Sequence, residues 1–116
     1  MKTYAACQGS RPVAARVAVA DTFFARFRGL MLRKNLPPGE GLLLKHCSAI
    51  HCCFMRFPID AVYLSSGMRV VAVETVAPWH LGRTVPGAKH VLELNAGDAR
   101  DLVSGMQIEW KEFSEL

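Results

Sequence analysis

The stretch that decides the fold is Ile50-His51-Cys52-Cys53-Phe54-Met55-Arg56-Phe57-Pro58-Ile59-Asp60-Ala61-Val62-Tyr63-Leu64. It consists of two short apolar runs that are joined through Arg56, Phe57 and Pro58. Because both alternating faces of each run are mostly apolar, each run is typical of a strand that is buried on both sides of a sheet. The polar and sulfur-bearing side chains inside this block must find partners or lose free energy, so they indicate either a core network or a binding site.

The sequence around this stretch predicts further strands and one helix. Residues 13–20 are rich in Val and Ala and predict a first strand. Asp21 and Thr22 then predict the start of an amphipathic helix over residues 21–31, because Phe23, Phe27 and Leu30 recur at helical spacing. Alternating apolar residues predict the remaining strands at residues 42–45, 68–76, 90–94 and 106–110. The predicted fold is mainly β, on the border of α+β: a compact, mostly antiparallel barrel or sandwich with one amphipathic helix after the first strand.

Length and composition predict one domain. The chain has 116 residues, of which 51% are hydrophobic and 21% charged, as in an ordinary globular protein. Residues 1–12 lack a hydrophobic period and predict a flexible N-terminal tail before a single domain over residues 13–116. No apolar run has the length of a membrane span, and Lys2, Arg11 and Arg16 interrupt any signal-peptide core, so we expect a cytoplasmic protein without membrane partners. Its four cysteines are therefore expected to be free thiols.

Charge is unevenly distributed along the chain. Residues 1–58 contain nine Lys or Arg against two acids, whereas residues 59–116 contain five against eight. A basic half is compatible with weak association with nucleic acid, and equally with cations that only solvate the surface. Few aromatic residues lie among these cations to stack on bases, so we regard nucleic acid as the less favoured partner.

With these segments in view, the chain resembles the DUF192 family, also called UPF0127. The matching pieces are Arg28-Gly29-Leu30-Met31 with Arg33, Gly41-Leu42-Leu43, Ile50-His51, Met55-Arg56-Phe57-Pro58-Ile59-Asp60, Pro78-Trp79, Val91-Leu92-Glu93-Leu94, Ala96-Gly97 and Gly105. The resemblance extends over residues 13–112 and implies a mainly antiparallel β barrel or sandwich with a helix after the first strand. It implies no established biochemical function. The chain departs from the family pattern at Cys52 and Cys53, where Thr and a bulky aromatic residue are more usual.

The cluster of His46, Cys47, His51, Cys52 and Cys53 invites two chemical interpretations. A structural zinc site needs two separated pairs of ligands, but these residues form one cluster within eight positions. A nucleophilic cysteine needs a histidine within hydrogen-bond reach, yet neighbours on a strand face opposite sides. We therefore predict buried thiols, no metal and no cofactor, and leave open whether the protein is an enzyme.

The polar residues predicted to matter most are His51, Arg56, Asp60, Arg33, Glu93 and Trp79. One interpretation is structural, with an arginine holding a carboxylate that binds loop backbone. The other is a pocket in which Arg33 or Arg56 binds an anion beside His51 and Asp60, next to a long connection over residues 78–88. Trp79 on this connection is either an exposed contact residue or a cap on the core.

The sequence thus predicts a binding module for a small anionic ligand or a protein partner, as a monomer or weak homodimer. A second hypothesis is a small hydrolase that uses His51 with Asp60 or a thiol.

Overall fold

The computed structural model describes residues 3–22, 30–31, 33–51 and 55–112, and these form one seven-stranded mixed sheet. Its strands are β1 (Thr3–Gln8), β2 (Arg11–Ala20), β3 (Glu40–Leu44), β4 (Ile59–Leu64), β5 (Val70–Val76), β6 (His90–Asn95) and β7 (Glu109–Glu112). Their spatial order is β5-β4-β6-β3-β2-β1-β7, and β2 and β3 run parallel while the other neighbours are antiparallel. The prediction of a mainly β protein is confirmed.

The predicted barrel or sandwich is wrong, because the strands form a single open sheet. Strands β5 and β7 are its two edges, and no ladder of strand pairs joins them in the described part of the chain. The sheet nevertheless curls. The Val70 N–H donates to the Met106 carbonyl at 2.8 Å, and the Ile108 N–H donates to the Met68 carbonyl at 2.9 Å, so the turn before β5 meets the segment before β7.

The predicted amphipathic helix is also wrong as far as the structure describes the chain, since no described residue is helical. The centre of that prediction, residues 23–29, is outside the described residues. Leu30 and Met31 lie in a turn, in which the Arg33 N–H donates to the Leu30 carbonyl at 3.4 Å. Leu30 is fully buried. A turn therefore buries the described end of the apolar pattern, at Leu30.

Residues 3–8 form β1, where the sequence predicted a flexible tail. This strand pairs with β2 on one side and with β7 on the other, and Ala6 lies opposite Trp110. Small residues such as Ala5 and Ala6 have little strand preference of their own. The strand exists because residues from the far end of the chain supply its second partner.

The stretch at residues 50–64 divides into a central strand and an irregular segment. Strand β4 is buried along its whole length between β5 and β6, which confirms the prediction for its second run. The described part of its first run, residues 50–51 and 55, belongs to none of the seven strands. In it, His51 forms a single β-bridge with Leu81. Residues 52–54 are not described. No helix long and apolar enough to cross a membrane occurs in the described chain.

Two apolar clusters cover the two faces of the sheet. The first cluster includes Leu42, Ala61, Tyr63 and Val91, with Ile50 and Val85 from the loops that cover it. The second cluster includes Leu43, Val62, Leu92, Leu94 and Ile108 on the concave side of the curl. Successive residues of β3, β4 and β6 alternate between the two clusters, so polar residues on these strands also belong to one face or the other.

Candidate functional site

The loop between β5 and β6 crosses the face of the first cluster and is held there by backbone hydrogen bonds. The Gly82 N–H donates to the Ile50 carbonyl at 3.0 Å, and Leu81 forms a bridge with His51. The Arg83 N–H donates to Oε2 of Glu74 on β5 at 2.7 Å. The loop is thus tied both to the segment before β4 and to the sheet itself.

A half-buried acceptor beneath this loop fixes its path. Oε2 of Glu74 also accepts a hydrogen bond of 2.5 Å from the hydroxyl group of Tyr63, which is fully buried on β4. A Cβ atom on Gly82 would lie 2.5 Å from the Tyr63 hydroxyl oxygen and 2.8 Å from Cγ1 of Ile50. Only glycine fits there without displacing these groups. Position 82 therefore needs glycine for space, because the loop passes directly over the Tyr63–Glu74 pair.

The loop presents two large apolar side chains to solvent. Trp79 is 61% exposed and Leu81 is 74% exposed, and in the described chain only Val103 joins them among the large exposed hydrophobic residues. Trp79 has a φ of 68°, a region that bulky residues rarely adopt. The conformation persists because the tethers of the loop determine the path of its backbone.

An arginine lies next to these side chains. Arg83 is exposed, residues 77–89 contain no aspartate or glutamate, and the Glu74 carboxylate beneath the loop already accepts hydrogen bonds from Tyr63 and from the Arg83 N–H. Arg56 is exposed three residues before Ile59, which pairs with Val76 at the end of β5. Both chain segments therefore leave the sheet at the same end. We call Trp79, His80, Leu81 and Arg83 together the Trp79 surface.

Asp60 is buried on β4, and its carboxylate holds a turn of the backbone. Oδ1 accepts a hydrogen bond from the Thr75 hydroxyl at 2.7 Å. Oδ2 accepts from the N–H groups of Gly97 at 2.8 Å and Ala99 at 3.1 Å. Ala99 belongs to the second cluster, so Asp60 faces the concave side, whereas His51 follows Ile50 of the first cluster. The structure does not bring the Asp60 carboxylate to the loop that contains Trp79.

Glu93 is completely buried in the centre of the sheet. It lies between Leu42 on β3 and Ala61 on β4, which both belong to the first cluster. Its Oε1 atom is buried without a hydrogen-bond partner in the described chain. Burial raises the pKa of Glu93 to about 8, so the carboxyl group keeps its proton at neutral pH.

The structure therefore does not bring the predicted site residues together. His51 contacts the loop that contains Trp79 through its bridge to Leu81, and Arg56 leaves the sheet at the same end. Asp60 and Glu93 lie inside the protein. Arg33 is exposed and forms no ion pair with another described residue.

Comparison with known proteins places this arrangement in a family. The model of the DUF192 family, described as Uncharacterized ACR, matches residues 5–110. The chain belongs to the DUF192 family. A UPF0127 protein of Thermococcus sibiricus is 36% identical over 106 residues, which cover 86% of this chain and 69% of the relative.

Two solved structures show that the fold of this DUF192 chain recurs. A protein of unknown function from Novosphingobium aromaticivorans superposes with a TM-score of 0.80 at 21% identity, covering 93% of this chain and 84% of its own. A candidate transcription regulator from Sinorhizobium meliloti superposes with a TM-score of 0.76 at 22% identity, covering 94% and 92%. At these identities the likeness extends to the fold alone. The resemblance seen in the sequence is confirmed, and the function of the family is not established.

The sequence could not place His90, and it gave no signal for Glu74. His90 is buried, and its Nδ1 atom accepts a hydrogen bond of 3.0 Å from the His46 N–H. Burial, and then His46 and Lys45, lower the pKa of His90. Glu74 was also missed, because a glutamate in an alternating strand is typical of an exposed face.

The thiols and possible metal ligands do not form a cluster where the structure describes them. Cys7 and Cys47 are free, and the thiol group of Cys47 donates to the Ala49 carbonyl at 2.8 Å. No group of three or more His, Cys, Asp or Glu residues that could hold a metal ion occurs in the described ranges. Cys52 and Cys53, which the zinc and thiol interpretations involve, are outside those ranges.

Proposed function

We propose that this domain is a binding module that docks an acidic segment of a partner protein on the Trp79 surface. The observation that carries the proposal is the exposure of Trp79 and Leu81 on a loop that is tied down on both sides. Single exposed hydrophobic residues are common on protein surfaces and need no explanation. Two of them, two positions apart on a held loop with an unusual backbone conformation at the tryptophan, favour a contact site.

The tethers supply a physical reason for binding. A loop that already holds its side chains in place loses less conformational entropy when a partner binds. Tryptophan buries a large area with few rotatable bonds, and it is enriched among the residues that dominate interface energies. The hydrogen bonds of Gly82 and Arg83 therefore support a role in presenting Trp79 and Leu81.

The charge of the loop favours an acidic partner. Arg83 and Arg56 are exposed at this end of the sheet, and residues 77–89 contain no carboxylate. The nearby carboxylate of Glu74 already accepts hydrogen bonds from Tyr63 and from the Arg83 N–H. Complementary charge steers association and selects among partners. A segment with one or two large apolar side chains among Asp or Glu residues would match both features of the surface.

Selection from a random peptide library displayed on phage tests the proposal. We expect peptides selected on the wild-type protein to combine Asp or Glu with large apolar residues, and to bind more weakly as salt increases. The double variant Trp79→Ser/Leu81→Ser should weaken their binding by at least about tenfold, because truncation of a central anchor typically costs at least about 2 kcal/mol. Val103→Ser removes an equally exposed apolar side chain elsewhere and is the matched control.

Selected peptides that bind the double variant as tightly as the wild type would reject the Trp79 surface as a docking site. If size-exclusion chromatography shows self-association that depends on Trp79, then the surface binds a second copy of the chain rather than an acidic partner. The hydrolase hypothesis is less favoured, since Thr75, Gly97 and Ala99 already occupy both oxygens of Asp60. Nucleic-acid association stays a prediction, tested by the salt dependence of binding.

A further inference from the structure

We propose that a second site, separate from the Trp79 surface, binds a small and mostly apolar carboxylic acid. It is a pocket of about 350 Å³ at the end of the curled sheet, which we call the Trp110 pocket. The described residues that line it are Tyr4, Val19, Asp21, Leu43, Lys45, Met68 and Trp110. Its volume falls at the lower end of the range of about 300–1,000 Å³ that is usual for small-molecule sites. It shares no residue with the Trp79 surface, so the inference does not depend on the docking proposal.

The walls of the pocket are parts of the sheet itself. Val19 on β2 and Leu43 on β3 are partners in the parallel pair and form one wall. Trp110 on β7 stands opposite Ala6 of the neighbouring strand β1. Met68 completes the lining from the turn before β5, where its N–H donates to the Ser65 carbonyl at 2.9 Å. Side chains carried by strands and a bonded turn hold a pocket in shape more precisely than a free loop would.

One of the lining residues is a lysine whose backbone is held by the sheet. The Lys45 N–H donates to the Ala20 carbonyl at 3.0 Å, which continues the pairing of β2 and β3 one step beyond Leu44. Lys45 forms no ion pair with another described residue. Its side chain is half-buried, and its charge contributes to the lowered pKa of His90. A half-buried lysine among the lining residues brings a positive charge to a pocket that is otherwise mostly apolar.

The indole N–H of Trp110, a lining residue of the pocket, lacks a hydrogen-bond acceptor among the described residues. Its Nε1 atom is buried. Buried donors in native proteins nearly always have an acceptor. Because this atom has no exposed surface, a ligand oxygen would reach it only after a shift of the indole ring.

These features together select the class of ligand. The apolar side chains of Val19, Leu43 and Met68 favour a hydrocarbon body, and Trp110 favours an aromatic one. Lys45 favours a carboxylate, since a charge-assisted hydrogen bond is about twice as strong as a neutral one. Asp21 also lines the pocket, and its negative charge disfavours ligands with two negative charges. A monocarboxylate with an apolar body, either a simple acid or an apolar amino acid, satisfies all of these groups.

Fluorescence titration tests the proposal. The chain has two tryptophans, so the variant Trp79→Phe leaves Trp110 as the single reporter in the pocket. We expect hydrocinnamate to change the Trp110 emission in a saturable way. Hydrocinnamyl alcohol, which has the same body without the charge, should bind at least about tenfold more weakly. Phenylalanine adds an ammonium group to the same body, and tighter binding than hydrocinnamate would support the site and identify an amino acid as its ligand.

Substitution of Lys45 separates the pocket from non-specific binding. Lys45→Met keeps most of the aliphatic stem and should weaken hydrocinnamate by at least about tenfold, with little effect on the alcohol. Lys89→Met removes an exposed cation outside the pocket and should change neither affinity. Absence of a saturable signal from all three compounds would overturn the proposal. So would hydrocinnamate binding that is equal in the wild type and in Lys45→Met.

Discussion

Glu93 makes the stability of this domain depend on pH in a way that one substitution can test. The side chain is completely buried between Leu42 and Ala61, and Oε1 has no partner among the described residues. Glu93→Gln keeps its shape but removes its ability to ionise. We therefore expect the variant to lose a pH dependence that the wild type has.

The sign and size of the effect follow from the two pKa values. The pKa of Glu93 is about 8 in the folded protein against 4.5 as its ordinary value. Between these values the unfolded chain has lost the proton while the folded chain keeps it, so folding takes up a proton. Stability contributed by the neutral carboxyl group is thus fully present below pH 4.5 and is lost as the pH rises to about 8. The slope is at most about 1.4 kcal/mol per pH unit, and the total is on the order of 5 kcal/mol, a large part of the stability of a typical domain.

Urea unfolding at a series of pH values from about 5 to about 9 measures this slope. The difference in unfolding free energy between Glu93→Gln and the wild type should grow in favour of the variant with increasing pH and level off above about pH 8. Other titrating groups cancel in this difference because both proteins contain them. Glu109→Gln, at an exposed position of β7, is the matched control and should leave the slope unchanged. Parallel curves for Glu93→Gln and the wild type would refute the reasoning.

Three further predictions concern stability. Gly82→Ala should lower the free energy of unfolding by about 1–3 kcal/mol, because its Cβ would lie 2.5 Å from the Tyr63 hydroxyl oxygen. Urea unfolding measures this change. The control Gly67→Ala, whose Cβ meets nothing within 4 Å, should stay within about 0.5 kcal/mol of the wild type. Asp60→Asn should cost about 1.5–3 kcal/mol, since it removes a charged acceptor from a buried turn, and an unchanged urea midpoint would contradict the role assigned to its carboxylate. Burial lowers the pKa of His90 below its ordinary value of 6.5. The fold should therefore lose stability as the pH falls below 6.5, because the unfolded chain binds the proton more readily. Thermal unfolding of His90→Gln should show a smaller loss of stability over the same pH range.

The candidate surface was only partly visible in the sequence. Trp79 stood out because it lies on a long connection, but its position in the chain fits an exposed contact residue and a core cap equally well. The structure exposes it, because the Tyr63–Glu74 pair and the Ile50 carbonyl hold the loop against the sheet with the indole ring outward. Leu81 was missed because His51, with which it forms a bridge, is distant in the chain. Glu74 was missed because a glutamate in an alternating strand is typical of an exposed face.

The Trp110 pocket could not have been predicted from the sequence. Its lining comes from β1, β2, β3 and β7, which are neighbours in the sheet though not all in the sequence, and from the turn at Met68, which reaches them only once the sheet has curled. None of these residues forms a motif with another. A pocket of this kind depends on strand order and register, which short-range patterns do not contain.

The sequence by itself determined the family, the mainly β character and the buried strand over residues 59–64. These follow from local apolar patterns and from ordered motifs, both of which can be read along the chain. Tertiary structure alone decided that residues 3–8 form a strand, that Leu30 is buried in a turn, and that the sheet stays open. It also decided that the Asp60 carboxylate holds a turn, while Oε1 of Glu93 is buried without a hydrogen-bond partner among the described residues. The physical reason is the same in each case: alternation predicts which side chains are buried, but the partner that each strand or carboxylate meets is supplied by residues far away in the chain.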